Sequence, residues 1–248
     1  MPLIHIHDLI VNTWEDYKKY WNGALSIGVW YLVGPAIYFF LSLIARYAPS
    51  FQETAVMLGA AFTVVLFLWT TIRLTHWLLF SVLKRPVAKN NYRLAAMWLL
   101  PFLWAMILIN VATVGGVILF VLPGIWLLVA FKFWPYLLLE TDVRGTQALA
   151  ASAALVKHRW WATFWRLLLP QLLFVLILTC AAGFMMSIVG IIAGASKMEI
   201  LLNNGTQLNP LIFAIRQVVE GLIQMLFMPL FILVEVKLYQ NLKETRIV

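Results

Sequence analysis

Leu122-Pro123-Gly124-Ile125 opens an apolar run that extends to Leu139 and contains Phe131-Lys132-Phe133-Trp134-Pro135-Tyr136. The chain then meets Glu140-Thr141-Asp142, passes through an alanine-rich segment from Gln147 to Lys157, and returns to apolar sequence behind Arg159-Trp160-Trp161. A helix needs about 20 apolar residues to cross a ~30 Å hydrocarbon core. The stretch therefore reads as a span, a helix on the membrane surface and the start of a second span. No loop within it is long enough for an independent domain, and the rest of the chain is expected to pack around it.

Composition agrees. Hydrophobic residues make up 63% of the 248 and charged residues only 11%, against roughly 45–50% and 25% in soluble domains. The expectation is an all-α polytopic membrane protein forming a single domain over residues 1–248. The net charge of +8 sits in short segments beside apolar spans, where it sets orientation, so nucleic acid is not expected as a partner. Cys180, the single cysteine, has no intrachain partner and reads as a small core residue. The first twenty residues are amphipathic, unlike a cleavable signal peptide, and the first span is expected to act as the insertion signal.

In chain order, Ile6, Leu9, Ile10, Thr13, Trp14, Tyr17 and Trp21 recur at helical steps with charges mainly opposite, which predicts a surface helix over 3–21. Spans follow at about 24–45, where Pro35 introduces a kink, and at about 54–82, where Ala55, Gly59 and Thr63 allow close helix approach. Further spans are expected at about 94–113, 117–139, 165–194 and 210–239, with a second surface helix at about 146–158. Gly145 and Thr146 open that helix, and Leu149, Ser152, Ala153 and Val156 form one face. The turn between the third and fourth spans falls either near Gly115-Gly116, with Pro123 kinking the next span, or at Leu122-Pro123-Gly124. The first choice gives better span lengths. Gly190 and Gly194 form a weak small-residue pair, and Asn204-Gly205-Thr206 reads as a turn.

Orientation follows from the basic residues. Lys18 and Lys19, the four from Lys84 to Arg93, the four from Arg144 to Arg166 and the three from Lys237 to Arg246 account for 13 of the 18, whereas the opposite loops hold only Arg46 and Lys197. Six spans with both termini in the cytoplasm satisfy the positive-inside rule at every loop, with both surface helices on the cytoplasmic face of a bacterial inner membrane.

Ionisable groups inside spans cost about 2.5–3.5 kcal/mol each on insertion scales, so they are the first candidates for function. At ~1.5 Å per residue, Lys132 lies about 12 Å from Glu140, Glu235 about 12 Å from Lys243, and Arg73 about 16 Å from Lys84. His76 is one turn from Arg73. Arg73, His76, Lys132 and Glu235 thus outline a candidate polar pocket in the cytoplasmic half, with Lys132–Glu235 or Arg73–Glu235 pairing at similar depth. The functional reading is a site for an anionic headgroup or solute. The structural reading is an ion pair that lowers insertion cost and fixes helix register, and it is preferred. Arg216, Glu220 and Gln224 likewise read as a structural stripe. His5 and His7 diverge on a helix, and the histidines are too scattered for a metal site. No catalytic motif occurs, so neither a metal, a cofactor nor an enzyme is expected.

Pro123 and Gly124, Pro135 and Tyr136, Gly145, Ser152, Lys157, and Arg159-Trp160-Trp161 form an interface motif. Together with the ending Leu238-Tyr239-Gln240-Asn241-Leu242-Lys243-Glu244, it resembles the glycerophosphoryl diester phosphodiesterase membrane-domain family and related six-span bacterial inner-membrane proteins. The resemblance implies fold and location. The catalytic barrel that follows the membrane domain in some members has no counterpart here, so the enzymatic activity is not implied. The expected function is a non-catalytic scaffold or membrane-homeostasis factor, engaging the bilayer, anionic lipid headgroups or a membrane-protein partner. The alternative is a transporter or transporter subunit using the polar pocket, and the third reading is an intramembrane lipid-modifying enzyme.

Overall fold

The computed structural model describes residues 3–47, 50, 52–87, 91–119, 121–193 and 210–245. The fold is all-α, 91% helical and without strands among these residues. Among the described residues, nine helices carry it: α1 (Ile6–Gly28), α2 (Trp30–Tyr47), α3 (Gln52–Val82), α4 (Asn91–Leu119), α5 (Val121–Phe131), α6 (Trp134–Thr141), α7 (Gly145–Val156), α8 (Trp160–Ala193) and α9 (Pro210–Glu244). Six stretches are long and apolar enough to cross a membrane: Ile6–Leu41, Glu53–Val82, Tyr92–Ile118, Val121–Thr141, Trp160–Met185 and Val218–Glu244. The protein is thus a multi-pass membrane protein. Gly190, Gly194 and Asn204-Gly205-Thr206 fall outside the described residues or side chains, as does the side chain of Arg216.

Several boundaries differ from expectation. The first helix does not stop at residue 21 but continues to Gly28, and the interruption lies at Val29, with Pro35 inside α2. Its buried stripe of Leu9, Thr13, Tyr17, Ala24 and Ile27 runs the whole length of α1, so packing continues past the amphipathic segment. The turn after the third span falls at neither expected place. α4 runs through Gly115-Gly116 to Leu119, and α5 already starts at Val121. The glycines serve helix contact instead: a Cβ on Gly124 would lie 2.2 Å from Cγ2 of Val117. Pro123 lies in the first turn of α5, where a missing N–H costs nothing.

Within the chain two compact units are distinguished. Unit 1 comprises residues 1–20, 72–172 and 230–248, and unit 2 comprises 21–71 and 173–229. No linker separates them, because α1, α3, α8 and α9 each give residues to both, so a search for polar linkers finds no boundary. In unit 2, Gly59 meets Tyr38, whose Cδ2 would lie 2.3 Å from an added Cβ. That close approach of α3 to α2 is what the small-residue spacing predicts. Unit 1 holds the largest fully buried side chains, among them Phe133, Tyr136, Leu138, Leu233 and Tyr239.

Candidate functional site: a charged ladder beside a broken helix

The fourth span is not one helix. α5 ends at Phe131 and α6 starts at Trp134, with Lys132 and Phe133 between them. Pro135 explains the restart, since it lies at the N-terminal end of α6 and has no N–H to continue the ladder from α5. A break in an apolar span leaves backbone groups that lipid cannot satisfy. Ser152 of α7 supplies the remedy. Its hydroxyl donates to the carbonyl of Ala130 at 2.8 Å and accepts from the N–H of Phe133 at 3.1 Å. Ser152 is fully buried, with Ala148, Leu149, Leu155 and Val156 on the same face of α7. Gly145 opens α7 at φ +57°, a backbone that glycine adopts without a Cβ clash.

Lys132, held in the break, reaches Glu235 of α9 at 2.8 Å. Glu235 also accepts hydrogen bonds from the Tyr136 hydroxyl at 2.8 Å and the Gln171 amide at 2.9 Å. About two turns further along, the arrangement recurs with charges exchanged. Glu140 accepts from Lys243 at 2.6 Å and from the Tyr239 hydroxyl at 2.6 Å, with Arg85 at 3.1 Å. Between the two ion pairs the rings of Tyr136 and Tyr239 lie 5.6 Å apart, and Phe133 packs 6.3 Å from Tyr239.

The result is a three-rung ladder: Lys132 with Glu235, Tyr136 with Tyr239, Glu140 with Lys243. Both partners advance by four residues per rung in the same chain direction, which requires α6 and α9 to run parallel. The sequence signal is Lys-x-x-x-Tyr-x-x-x-Glu at 132–140 matched by Glu-x-x-x-Tyr-x-x-x-Lys at 235–243. Sequence reasoning left Glu235 open to Lys132 or Arg73 and assigned Glu140, at the end of the span, no partner. Its side chain is only 2% exposed, because three donors converge on it.

Of the other predicted pocket residues, His76 is buried and stacks on Phe80 at 4.3 Å, with Arg73 half-buried one turn away on α3. Within the interface motif, Tyr136 is a core residue. Arg159 binds the hydroxyl of Thr245 and, at 2.7 Å, its carbonyl, tying the start of α8 to the residue that follows α9. Trp160 donates from its indole N–H to the Trp126 carbonyl at 3.2 Å, Lys157 is exposed, and Trp161 is 66% exposed. Arg166, counted in the sequence only toward orientation, grips the carbonyls of Ile4 at 2.6 Å and Leu3 at 3.3 Å. Asp16 meets Lys237 at 2.7 Å, so α1 is fastened to α9.

Two cavities flank α5. One, of about 230 Å³, lies between α5 and α8 with apolar walls and Lys132 and Gln171 among its lining. The other, of about 560 Å³, lies between α5, α7 and the start of α8. Among the described residues, no group of three or more His, Cys, Asp or Glu is placed to hold a metal ion. No family model, no curated protein and no solved structure matches the chain.

Proposed function

We propose that the protein is a non-catalytic scaffold or membrane-homeostasis factor of the bacterial inner membrane, engaging lipid at the cytoplasmic face with both termini in the cytoplasm. The ladder carries this reading. Lys132, Glu235, Glu140 and Lys243 are each held by an opposite charge inside the fold. Charges committed in this way lower insertion cost and set helix register. The distribution of basic residues supports the orientation. The resemblance to the glycerophosphoryl diester phosphodiesterase membrane-domain family supports the location and lends no activity.

Native mass spectrometry of protein released from lipid nanodiscs tests it, comparing the parent with Lys132→Ala and Glu235→Ala. The expected result is lipid retained by all three, with both variants unfolding at lower temperature. Loss of the bound molecule from a variant that remains folded would make the pair a binding site and remove the scaffold reading. A second reading, a transporter, is favoured by the helix break and the cavity that opens beside Lys132 and Gln171. It requires solute flux in reconstituted vesicles that Lys132→Ala abolishes, and an absence of flux across a broad panel would end it.

A further inference from the structure

We propose that the cavity between α5, α7 and the start of α8 binds the headgroup of an anionic phospholipid; this names the site and ligand class of the lipid engagement inferred above and rests on it. The cavity exists because small residues face each other across it. Ala130 of α5 opposes Ala153 and Ala154 of α7, where larger side chains would close the gap. The gap is also fixed in place, since Ser152, next to Ala153, is bonded to the break after α5. Trp160 closes one wall through its bond to the Trp126 carbonyl.

The chemistry of the lining is divided. Trp126 and the alanines give an apolar floor, while Lys157 and His158 stand at the edge, both exposed, and no acidic side chain lines the cavity. The backbone of His158 is left-handed at φ +68°, which turns the chain from α7 into α8 and brings both residues to the mouth. Lys157 offers three N–H donors and a positive charge to a phosphate, and the floor accepts glycerol and the first methylenes. At about 560 Å³, the space is of the order typical for small-ligand sites, ~300–1,000 Å³. The cation at the mouth favours an anionic lipid over a zwitterionic one. Arg159, beside it in sequence, is spent on Thr245, so the selectivity rests on Lys157 and His158.

The test is native mass spectrometry from nanodiscs containing equal phosphatidylglycerol and phosphatidylcholine. The parent is expected to retain phosphatidylglycerol preferentially. Ala154→Phe, which fills the cavity without altering charge, and Lys157→Glu are each expected to lower that retention at least about fivefold. Lys18→Glu, an equal charge change on exposed α1, is expected to leave it unchanged. Thermal unfolding confirms that each variant is folded, and Ala153→Leu replaces Ala154→Phe if the latter is not. Retained lipid indifferent to cavity filling, or lost equally in Lys18→Glu, overturns the site while the lipid-engaging reading stands. A parent released with no lipid, or with an acidic protein instead, overturns both.

Discussion

Ser152 shows how much one hydroxyl can do where no water is available. It bonds two backbone groups at the break between α5 and α6, the Ala130 carbonyl and the Phe133 N–H. A buried unsatisfied group costs about 1–3 kcal/mol. Ser152→Ala is therefore expected to destabilise the protein by roughly 2–4 kcal/mol, and Ser152→Cys by less. Unfolding in mixed micelles with increasing dodecyl sulfate measures this, and a Ser152→Ala midpoint equal to the parent's would refute it. Glu140 presents the opposite situation, with more donors than a carboxylate needs. Removing one of them, as in Arg85→Ala, is expected to cost under about 1 kcal/mol, as for other half-exposed ion pairs.

At the scale of elements, the ladder is a register device. Reversing one rung places like charges together, whereas exchanging both members restores opposite ones. Lys132→Glu and Glu235→Lys are each expected to destabilise the protein, and the double variant to recover a coupling of about 0.5–3 kcal/mol in the same unfolding assay. Additive losses would mean that the rung contributes nothing to pairing. Helix identity was readable in the sequence because spans need long apolar runs, and depth alone narrowed the partner of Glu235 to Lys132 or Arg73 without choosing between them. The break at Lys132 was not, although Pro135 marks it, because an apolar run of spanning length reads as a single helix. The partners of Glu140 were not readable, because a carboxylate at the end of an apolar run ordinarily marks water and its donors Lys243 and Tyr239 lie about a hundred residues away. The glycines at 115, 116 and 124 suggested a turn, since sequence does not distinguish a glycine that bends the chain from one that admits a neighbour.

For the molecule as a whole, stability is expected to be uneven along single helices. The ion pairs described above and the largest buried side chains belong to unit 1. Hydrogen exchange is therefore expected to be slower over 72–82 than over 53–71 in α3, and slower over 230–244 than over 218–229 in α9, because local opening follows contact density. Uniform protection along each helix would contradict that. The ladder also imposes an order on manufacture. Lys132 and Glu140 leave the ribosome about a hundred residues ahead of Glu235 and Lys243, an interval of roughly 5–20 s at ordinary synthesis rates. Through that interval Lys132 has no Glu235 and Glu140 has only Arg85 of its charged partners, and for its first part the fourth span carries an unmended backbone as well. The insertion machinery must shelter this segment until the last helix arrives, and a chain cut short before α9 would present quality-control proteases with a membrane segment that cannot be completed.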